Sequence, residues 1–432
     1  MRDRKVPAPA EHYHHMDALR ASFMLLGVFV HASSLGHDPI FNGIAHASAL
    51  FRMEDFFLIS GFLSAMLVGK YGPGRTVRRR LASVGIPLLC AGLLLNPAAI
   101  WLSYNFHNDP DVSFLDYLHG RTIADPVGEL RWHLHLWFLV VLLPYALITP
   151  AAVSLLTRLA PHSLFRRATT GRLRTMTTIT LLTLSGVVVV RGTHKALLDP
   201  VFAGTLLDYP AEQTMEYLPF FLLGMLLYLE RDRVLPSFQR PAPVLLAVSA
   251  SGLLAGSRGW IGVLASNNGR LLCETVFTVA LTATFFALAG RFINGPRPVV
   301  RYLADASYTV YLFHYFWIYV IATLLGFDSG ARWPQMLLVA FLTFGVTFAI
   351  HHFVILRSRV LRGVFNGKFP IRTRSSRRAA GVHQPAAATV APDPSYMSGA
   401  PTLPLRRVTA GSGGPAFPTV TDAPTMPLRI DI

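Results

Sequence analysis

The feature that most constrains this chain is a series of apolar segments, each about as long as a helix that crosses a lipid bilayer. Such a crossing needs roughly 17 to 25 predominantly apolar residues. Within a bilayer a segment must satisfy its own backbone hydrogen bonds, so helices are expected rather than open strands. The sequence therefore predicts an all-α, polytopic integral membrane protein with about ten transmembrane helices, near residues 18–36, 51–69, 82–104, 136–157, 175–190, 214–229, 243–262, 271–290, 304–326 and 336–356.

The composition agrees with a membrane protein. Hydrophobic residues make up 52% of the 432 residues and charged residues only 14%, whereas a soluble globular chain carries about a quarter charged residues. The first apolar segment follows a polar lead without a cleavage-site pattern, so we expect it to remain as the first span. Cys90 and Cys273 both lie in predicted spans, and they indicate no disulfide framework.

Lys and Arg alternate in density between successive connections. The connections after the second, fourth, sixth and eighth predicted spans, and the segment after the tenth, are rich in basic residues, whereas the intervening connections hold fewer. Because basic connections stay on the cytoplasmic side, the sequence predicts a multi-pass protein of the cell inner (plasma) membrane with both termini cytoplasmic. The net charge of +16 then reflects membrane topology, so we do not expect a nucleic-acid partner.

The chain divides into two regions by composition. Residues 1–370 contain every predicted span and form the membrane domain. Residues 371–432 are rich in Pro, Ala, Ser, Thr and Gly, start with several arginines and have no apolar periodicity. Segments of this composition bury too little apolar surface to fold, so we expect a disordered cytoplasmic tail.

Two ionisable side chains lie on the first predicted span. Arg20 and His31 are 11 residues apart, which on an α-helix places them on one face and about 16 Å apart along the axis. A guanidinium at the cytoplasmic mouth suits a phosphate-bearing donor, and an imidazole deep in the membrane suits proton abstraction. The alternatives are an interfacial anchor for Arg20 and, for His31, a histidine satisfied by a neighbouring helix.

The first span and four later segments resemble membrane-bound acyltransferase family 3. The first span reads MDALRASFMLLGVFVHASSLGH, with an Arg followed by ten residues and then a His. The later segments are FFLISGFLSAML (56–67), HLWFLVVLL (135–143), YLPFFLLGMLLY (217–228) and SYTVYLFHYFWIY (307–319), in the order expected for the family. The resemblance covers about residues 13–356.

The resemblance implies an integral membrane O-acyltransferase. Such an enzyme takes an acyl group from cytoplasmic acyl-CoA and transfers it to a hydroxyl on the far side of the membrane. The similarity is greatest to family members that succinylate periplasmic glucans, which implies a glucan or another cell-envelope carbohydrate as acceptor and leaves succinyl and acetyl both open. The family's essential histidine matches His31, which implies a general base with Arg20 helping to place the donor; direct acylation of His31 is the alternative mechanism.

Eight further polar side chains are candidates for supporting or substrate-binding roles. Tyr308, Tyr311 and His314 have an i, i+3, i+6 spacing, which places them near one face of the ninth predicted span. Glu54, with Asp55, precedes the FFLISGF segment and is a candidate for orienting the catalytic histidine or binding an acceptor; the alternative is a pair of interfacial charges. The full set is Asp17, Glu54, Ser60, His135, Trp137, Tyr308, Tyr311 and His314.

Other functions and ligands follow from the same residues. A secondary transporter of a polar small molecule would also carry ionisable side chains within its spans, and it is the main alternative to an enzyme. No carboxylate and histidine spacing is typical of a metal site, so we expect neither a metal ion nor a permanently bound cofactor. The expected partners are acyl-CoA, a carbohydrate acceptor and the lipid bilayer, and homo-oligomerisation is left open.

Overall fold

The computed structural model describes residues 13–108, 112–119, 132–160, 162–240, 242–293 and 295–368. Every regular element within these ranges is a helix, which confirms the predicted all-α class. The predicted disordered tail, residues 371–432, lies outside the described residues and stays a prediction.

Nineteen α-helices follow one another in the described part of the chain. The first nine are α1 His14–Ala32, α2 Pro39–Ala49, α3 Arg52–Tyr71, α4 Pro73–Leu94, α5 Asn96–Asn108, α6 Phe114–Leu118, α7 Trp137–Leu159, α8 Ser163–Ala168 and α9 Arg172–Thr193. The others are α10 Asp199–Phe202, α11 Asp208–Glu216, α12 Leu218–Leu229, α13 Leu235–Phe238, α14 Pro243–Ser257, α15 Gly262–Ala265, α16 Asn267–Phe292, α17 Pro298–Leu324, α18 Trp333–Ala349 and α19 Arg359–Asn366.

The predicted number of ten membrane spans was wrong. Five helical segments among the described residues are long and apolar enough to cross a membrane: His14–Leu35, Leu134–Leu159, Arg172–Phe202, Asn267–Phe292 and Trp333–Ile355. A sixth is added if α4 and α5, which are bent by 49° at the break between them, form one span. The chain is an all-α polytopic membrane protein, and the orientation inferred from ten spans stays a prediction.

The remaining apolar segments differ from simple spans for identifiable reasons. Helix α3 carries Arg52, Glu54 and Asp55 in its first turn, and charged groups are costly in lipid unless the bundle interior receives them. Helices α12 and α14 have only 12 and 15 residues, which is short for a crossing. The apolar part of α17 contains four tyrosines and a histidine, whose polar atoms lower its affinity for lipid.

Helices α1 and α17 lie side by side and run in the same direction. About ten residues after the start of each helix, Ser307 Oγ lies 3.6 Å from Met24 Sδ. Seven residues further along each helix, the His31 and His314 rings have centroids 5.1 Å apart. Because both helices advance equally between these contacts, the polar residues of the two predicted spans meet at the same depth.

Helices α3 and α12 approach each other closely through two glycines. A Cβ atom at Gly61 would overlap the carbonyl oxygen of Phe221, and a Cβ atom at Gly224 would overlap that of Leu58. Small residues at such a crossing let the backbones meet. The Phe57 ring also stacks on the ring of Tyr217, the residue before α12, with centroids 4.8 Å apart. Helices α3 and α12 therefore form one tightly packed unit beside α1.

Several basic connections lie together at the end of the bundle where α1 and α17 begin, which we call the basic end. Gln239 Nε2, after α13, donates to His15 Nε2 of α1 at 3.3 Å. Arg233 Nε and Nη2 donate to Thr169 Oγ1, after α8, at 2.9 and 2.8 Å. These contacts bring connections that are distant in sequence to one face of the molecule.

Candidate active site

A wide cavity of about 1040 Å³ lies at the basic end, between α1, α3, α4, α7, α17 and α19. We call it the basic cavity because six cationic side chains and two carboxylates line it. An excess of positive charge in a concave site attracts anionic ligands. The charged side chains are Asp17, Arg20, Arg80, Arg297, Arg301, Asp305, Arg362 and Lys368.

Arg20 and Asp17 line this cavity from α1. Arg20 Nη2 lies 3.7 Å from Asp17 Oδ1, and the two side chains are 34% and 24% exposed. An ion pair that is this exposed and this long contributes little to stability. The Arg20 guanidinium can therefore exchange its partner for an anionic ligand at low cost.

Arg80 and Tyr308 are held in the cavity wall by hydrogen bonds. Arg80 Nη2 donates to Ser60 O at 2.9 Å and to Ser64 Oγ at 2.6 Å, while the Tyr308 hydroxyl donates to Ser83 O at 3.3 Å. Ser60, a predicted site residue, thus holds the Arg80 guanidinium group through its backbone carbonyl. No base partners its hydroxyl among the contacts of the described residues, so these contacts give no support for Ser60 as a nucleophile.

Asp305 of α17 anchors the segment that closes one side of the basic cavity. Lys368 Nζ lies 2.6 Å from Asp305 Oδ1 and Arg362 Nη2 lies 3.2 Å from Asp305 Oδ2. Asn366 Nδ2 donates to the same carboxylate. These three donors to the Asp305 carboxylate hold α19 and the residues after it in place. They also keep Arg362 and Lys368 at the cavity wall.

A second, narrow cavity of about 30 Å³ lies beside the basic cavity. Met24, Phe56 and Phe138 line both cavities, so the two spaces are neighbours that share these side chains in their walls. The narrow cavity is lined by Phe23, Met24, Gly27, His31, Arg52, Met53, Phe56, Phe138, Tyr311 and His314. Arg20 lines the basic cavity and His31 lines the narrow one, and a single path through both stays a prediction.

Three histidines from three helical segments form a cluster at the narrow cavity. The His31 and His314 ring centroids lie 5.1 Å apart, those of His135 and His314 lie 4.9 Å apart, and those of His31 and His135 lie 6.1 Å apart. The ring of Tyr315 stacks on His135 at 5.2 Å. In the described part of the chain no group of three His, Cys, Asp or Glu side chains is placed to hold a metal ion.

Hydrogen bonds fix the protonation pattern of part of this cluster. His314 Nδ1 lies 3.1 Å from Val310 O and 2.7 Å from Tyr311 O. Because carbonyl oxygens only accept, Nδ1 carries the proton, and in the neutral form of His314 Nε2 keeps a lone pair. His314 Nε2 is buried and has no hydrogen-bond partner among the described residues. The cluster thus has unused hydrogen-bonding capacity for a polar ligand.

Tyr311 connects two of the predicted site residues. Its hydroxyl donates to His135 O at 2.7 Å, while its ring lies 6.1 Å from that of His314 and 6.4 Å from that of Tyr308. The predicted shared face of Tyr308, Tyr311 and His314 is therefore present in the structure. Along that face Tyr308 lines the basic cavity and the other two line the narrow one.

Two predicted site residues, Glu54 and Trp137, line neither cavity, although the charge of Glu54 acts on Arg52 in the wall of the narrow one. Asp55, next to Glu54, is fully buried and accepts a hydrogen bond from Thr282. Among the described residues neither carboxylate lines either cavity, so the structure gives no support for a carboxylate that orients His31. Trp137 stacks on Tyr217 with ring centroids 5.8 Å apart, which is a packing role.

Sequence reasoning missed Arg52 and treated Arg80 only as a topology charge. Arg52 lines the narrow cavity beside His31, and Arg80 lines the basic cavity. A signal for Arg52 was present, because it opens an apolar helix together with two acids. No comparable signal distinguishes Arg80 from its neighbours Arg78 and Arg79.

Comparison with known proteins decides the family. Residues 13–352 match the acyltransferase family 3 profile, described as an acyltransferase domain. The chain belongs to acyltransferase family 3. The family match covers the segment that forms both cavities up to α18, and it identifies the chain as an acyltransferase.

Curated relatives of this family 3 chain share a name. "Glucans biosynthesis protein C" of Escherichia coli O139:H28 (strain E24377A / ETEC) is 26% identical over 395 residues, which is 86% of this chain and 99% of the relative. The protein of the same name from Shigella dysenteriae serotype 1 (strain Sd197) is 26% identical over 401 residues, with the same coverage. No solved structure matches the chain.

Proposed function

We propose that this chain is a membrane O-acyltransferase that moves a succinyl or acetyl group from cytoplasmic acyl-CoA to a hydroxyl of a glucan or another cell-envelope carbohydrate. His31 acts as the general base and Arg20 helps to hold the donor. The observation that carries the proposal is that a basic cavity with Arg20 and a narrow cavity with His31 are neighbours with shared wall residues; in the proposal the two form one path for the donor. The name of the curated relatives supports the carbohydrate acceptor.

The shape and charge of the path suit acyl-CoA. This donor carries phosphates at one end and its thioester at the end of a long flexible arm. Guanidinium groups bind phosphate oxygens in paired hydrogen bonds, and six cations line the basic cavity. The apolar junction of Met24, Phe56 and Phe138 then admits the arm, which brings the thioester to the histidine cluster.

The chemistry requires a base because a sugar hydroxyl does not ionise at neutral pH. His31 accepts the hydroxyl proton as the acceptor oxygen bonds to the thioester carbonyl carbon, and the carbonyl electron pair moves onto its oxygen. Collapse of this tetrahedral intermediate reforms the carbonyl and breaks the carbon–sulfur bond. The leaving thiolate takes the proton from His31, so the residue returns to its starting state.

The gathered basic connections support a cytoplasmic site for the donor. Arg-rich connections mark the cytoplasmic side of membrane proteins, and the basic cavity lies at the end of the bundle where several of them meet. The acceptor then approaches His31 from the opposite side. This orientation also places the N-terminus on the cytoplasmic side of an inner membrane, and we propose the same side for the C-terminus.

Acyl transfer in isolated membranes tests the proposal. Inside-out vesicles with wild-type chain, His31→Ala or His46→Ala, matched for protein amount, would receive radiolabelled acetyl-CoA or succinyl-CoA, followed by recovery of labelled carbohydrate. His46 is an exposed histidine on α2, and its variant serves as the control. We expect His31→Ala to lose roughly 10²-fold or more of the transfer, the contribution of a general base, while His46→Ala retains it.

The other outcomes separate the alternatives. Equal labelling with wild type and His31→Ala would remove His31 from the catalytic role. Absence of label from both donors in the wild type would overturn the acyl-CoA donor and favour the transporter. The donor that labels the carbohydrate identifies the acyl group.

A further inference from the structure

Arg52 lies where its charge can reach the reacting atoms. It is the first residue of α3 and lines the narrow cavity together with His31 and His314. Gly27 of α1 makes room for it, since a Cβ atom at that position would lie 2.8 Å from Arg52 Nη1. Helices α1 and α3 thus pack against each other with the Arg52 guanidinium group between them.

The resting site balances this charge only through space. Arg52 forms no ion pair with an acid among the described residues, and its buried Nε has no hydrogen-bond partner there. A guanidinium removed from water is costly unless it is paired or hydrogen-bonded. Of the two neighbouring acids, Asp55 accepts a hydrogen bond from Thr282, and Glu54 acts on Arg52 through space without forming an ion pair. The arrangement therefore suits an anion that arrives with the substrate or forms during the reaction.

The other polar groups of the narrow cavity leave the role of hydrogen-bond donor to Arg52. His314 donates through Nδ1 to two carbonyls, so in its neutral form Nε2 can only accept, and the Tyr311 hydroxyl already donates to His135 O. His31 must accept a proton to act as base. A guanidinium presents several fixed N–H donors and always carries its charge.

We infer that Arg52 is a further catalytic residue, whose guanidinium stabilises the oxyanion that forms on the thioester carbonyl when the acceptor hydroxyl attacks. This inference rests on the proposed acyl transfer. Fixed donors at a developing oxyanion act strongly in a site that excludes water. Because the charge on the carbonyl oxygen is largest in the tetrahedral intermediate, Arg52 should affect kcat far more than the KM for acyl-CoA.

The test compares Arg52→Gln, Arg52→Lys and Gly27→Ala with wild type and an exposed control. Arg258 is an exposed arginine after α14, so Arg258→Gln keeps the wild-type rate. We expect Arg52→Gln to lower kcat by about 10² to 10³-fold, as for removal of an oxyanion donor, with little change in the KM for acyl-CoA. Arg52→Lys keeps the charge and should retain part of kcat.

Gly27→Ala tests the position of the guanidinium without removing it. The added methyl group displaces the Arg52 head, so kcat should fall at least about tenfold, because small misplacements of catalytic groups cost this much or more. Each variant is assayed as monodisperse protein in lipid, at equal amounts, with both acetyl-CoA and succinyl-CoA. If Arg52→Gln does not accumulate, Arg52→Lys and Gly27→Ala decide the outcome by the same criteria.

A loss of kcat with both donors supports the inference. Wild-type kcat in the Arg52 variants would overturn it. A loss confined to succinyl-CoA would overturn it too, because Arg52 would then bind the terminal carboxylate of the donor and not the oxyanion. If the wild type itself transfers no acyl group from either donor, the proposed function has failed, which is a different result from unchanged variants of an active enzyme.

Discussion

Gly224 of α12 is the position at which the smallest change should loosen the bundle most. A Cβ atom there would overlap Leu58 O and lie 2.7 Å from Leu58 C and 2.9 Å from Phe62 N. All three are backbone atoms of α3, so no side-chain rotation makes room for a methyl group. Since carbon atoms pack at about 3.5 to 4.0 Å, α3 and α12 would have to separate by roughly 1 Å to accommodate Gly224→Ala.

The expected loss of stability can be set against a matched control. Inserting a methyl group into a tightly packed contact costs about 1 to 3 kcal/mol, whereas Gly to Ala in an unobstructed helix gains about 0.5 to 1 kcal/mol. Gly290 of α16 provides that control, because a Cβ there meets nothing within 4 Å. The free energies of unfolding of Gly224→Ala and Gly290→Ala should therefore differ by roughly 2 to 4 kcal/mol.

Thermal unfolding of detergent-purified protein measures this difference. Both variants and the wild type would be heated at one scan rate, since the midpoint of an irreversible transition depends on that rate. We expect the midpoint of Gly224→Ala to fall several degrees below wild type and that of Gly290→Ala to stay level or rise. Equal midpoints for the two variants would refute the close approach of α3 and α12.

Two further substitutions test contacts at the site. Tyr311→Phe removes the donor to His135 O and should lower the free energy of unfolding by about 1 to 3 kcal/mol, the cost of an unsatisfied buried acceptor, measurable as a lower thermal midpoint. Asp305→Asn removes the charge that pairs with Lys368 and Arg362. Because these pairs hold α19 against α17, the substitution should speed limited proteolysis after residue 358. An unchanged cleavage rate would show that α19 is held by other contacts.

The apolar segments predicted the helical class but not the number of membrane spans. The segment 51–69 is apolar apart from its first turn, and its charges can be judged only once their surroundings are known. In the structure Asp55 bonds to Thr282 and Arg52 faces a cavity, both inside the bundle. The segment 214–229 yields a helix of 12 residues because a turn at Tyr217 separates α12 from α11, and the segment 243–262 yields a helix of 15 residues that ends at Ser257.

The candidate site was predictable wherever its geometry follows from a single helix. The spacing of Arg20 and His31 fixes their shared face, and that of Tyr308, Tyr311 and His314 does the same. The approach of His135 to His31 is different, because 104 residues separate them in the sequence. Nothing local distinguishes His135 from a histidine at the membrane surface.

The sequence by itself determined the helical class, the membrane environment and the pairing of Arg20 with His31 on one helix. These properties follow from hydropathy and helical periodicity, which act over fewer than about 25 residues. Only the tertiary structure decided that three histidines meet, that Arg52 lines the narrow cavity with two of them and that a basic cavity lies beside it. Those features depend on how α1, α3, α7 and α17 pack, and packing is set by contacts such as those of Gly27 and Gly61 with distant helices.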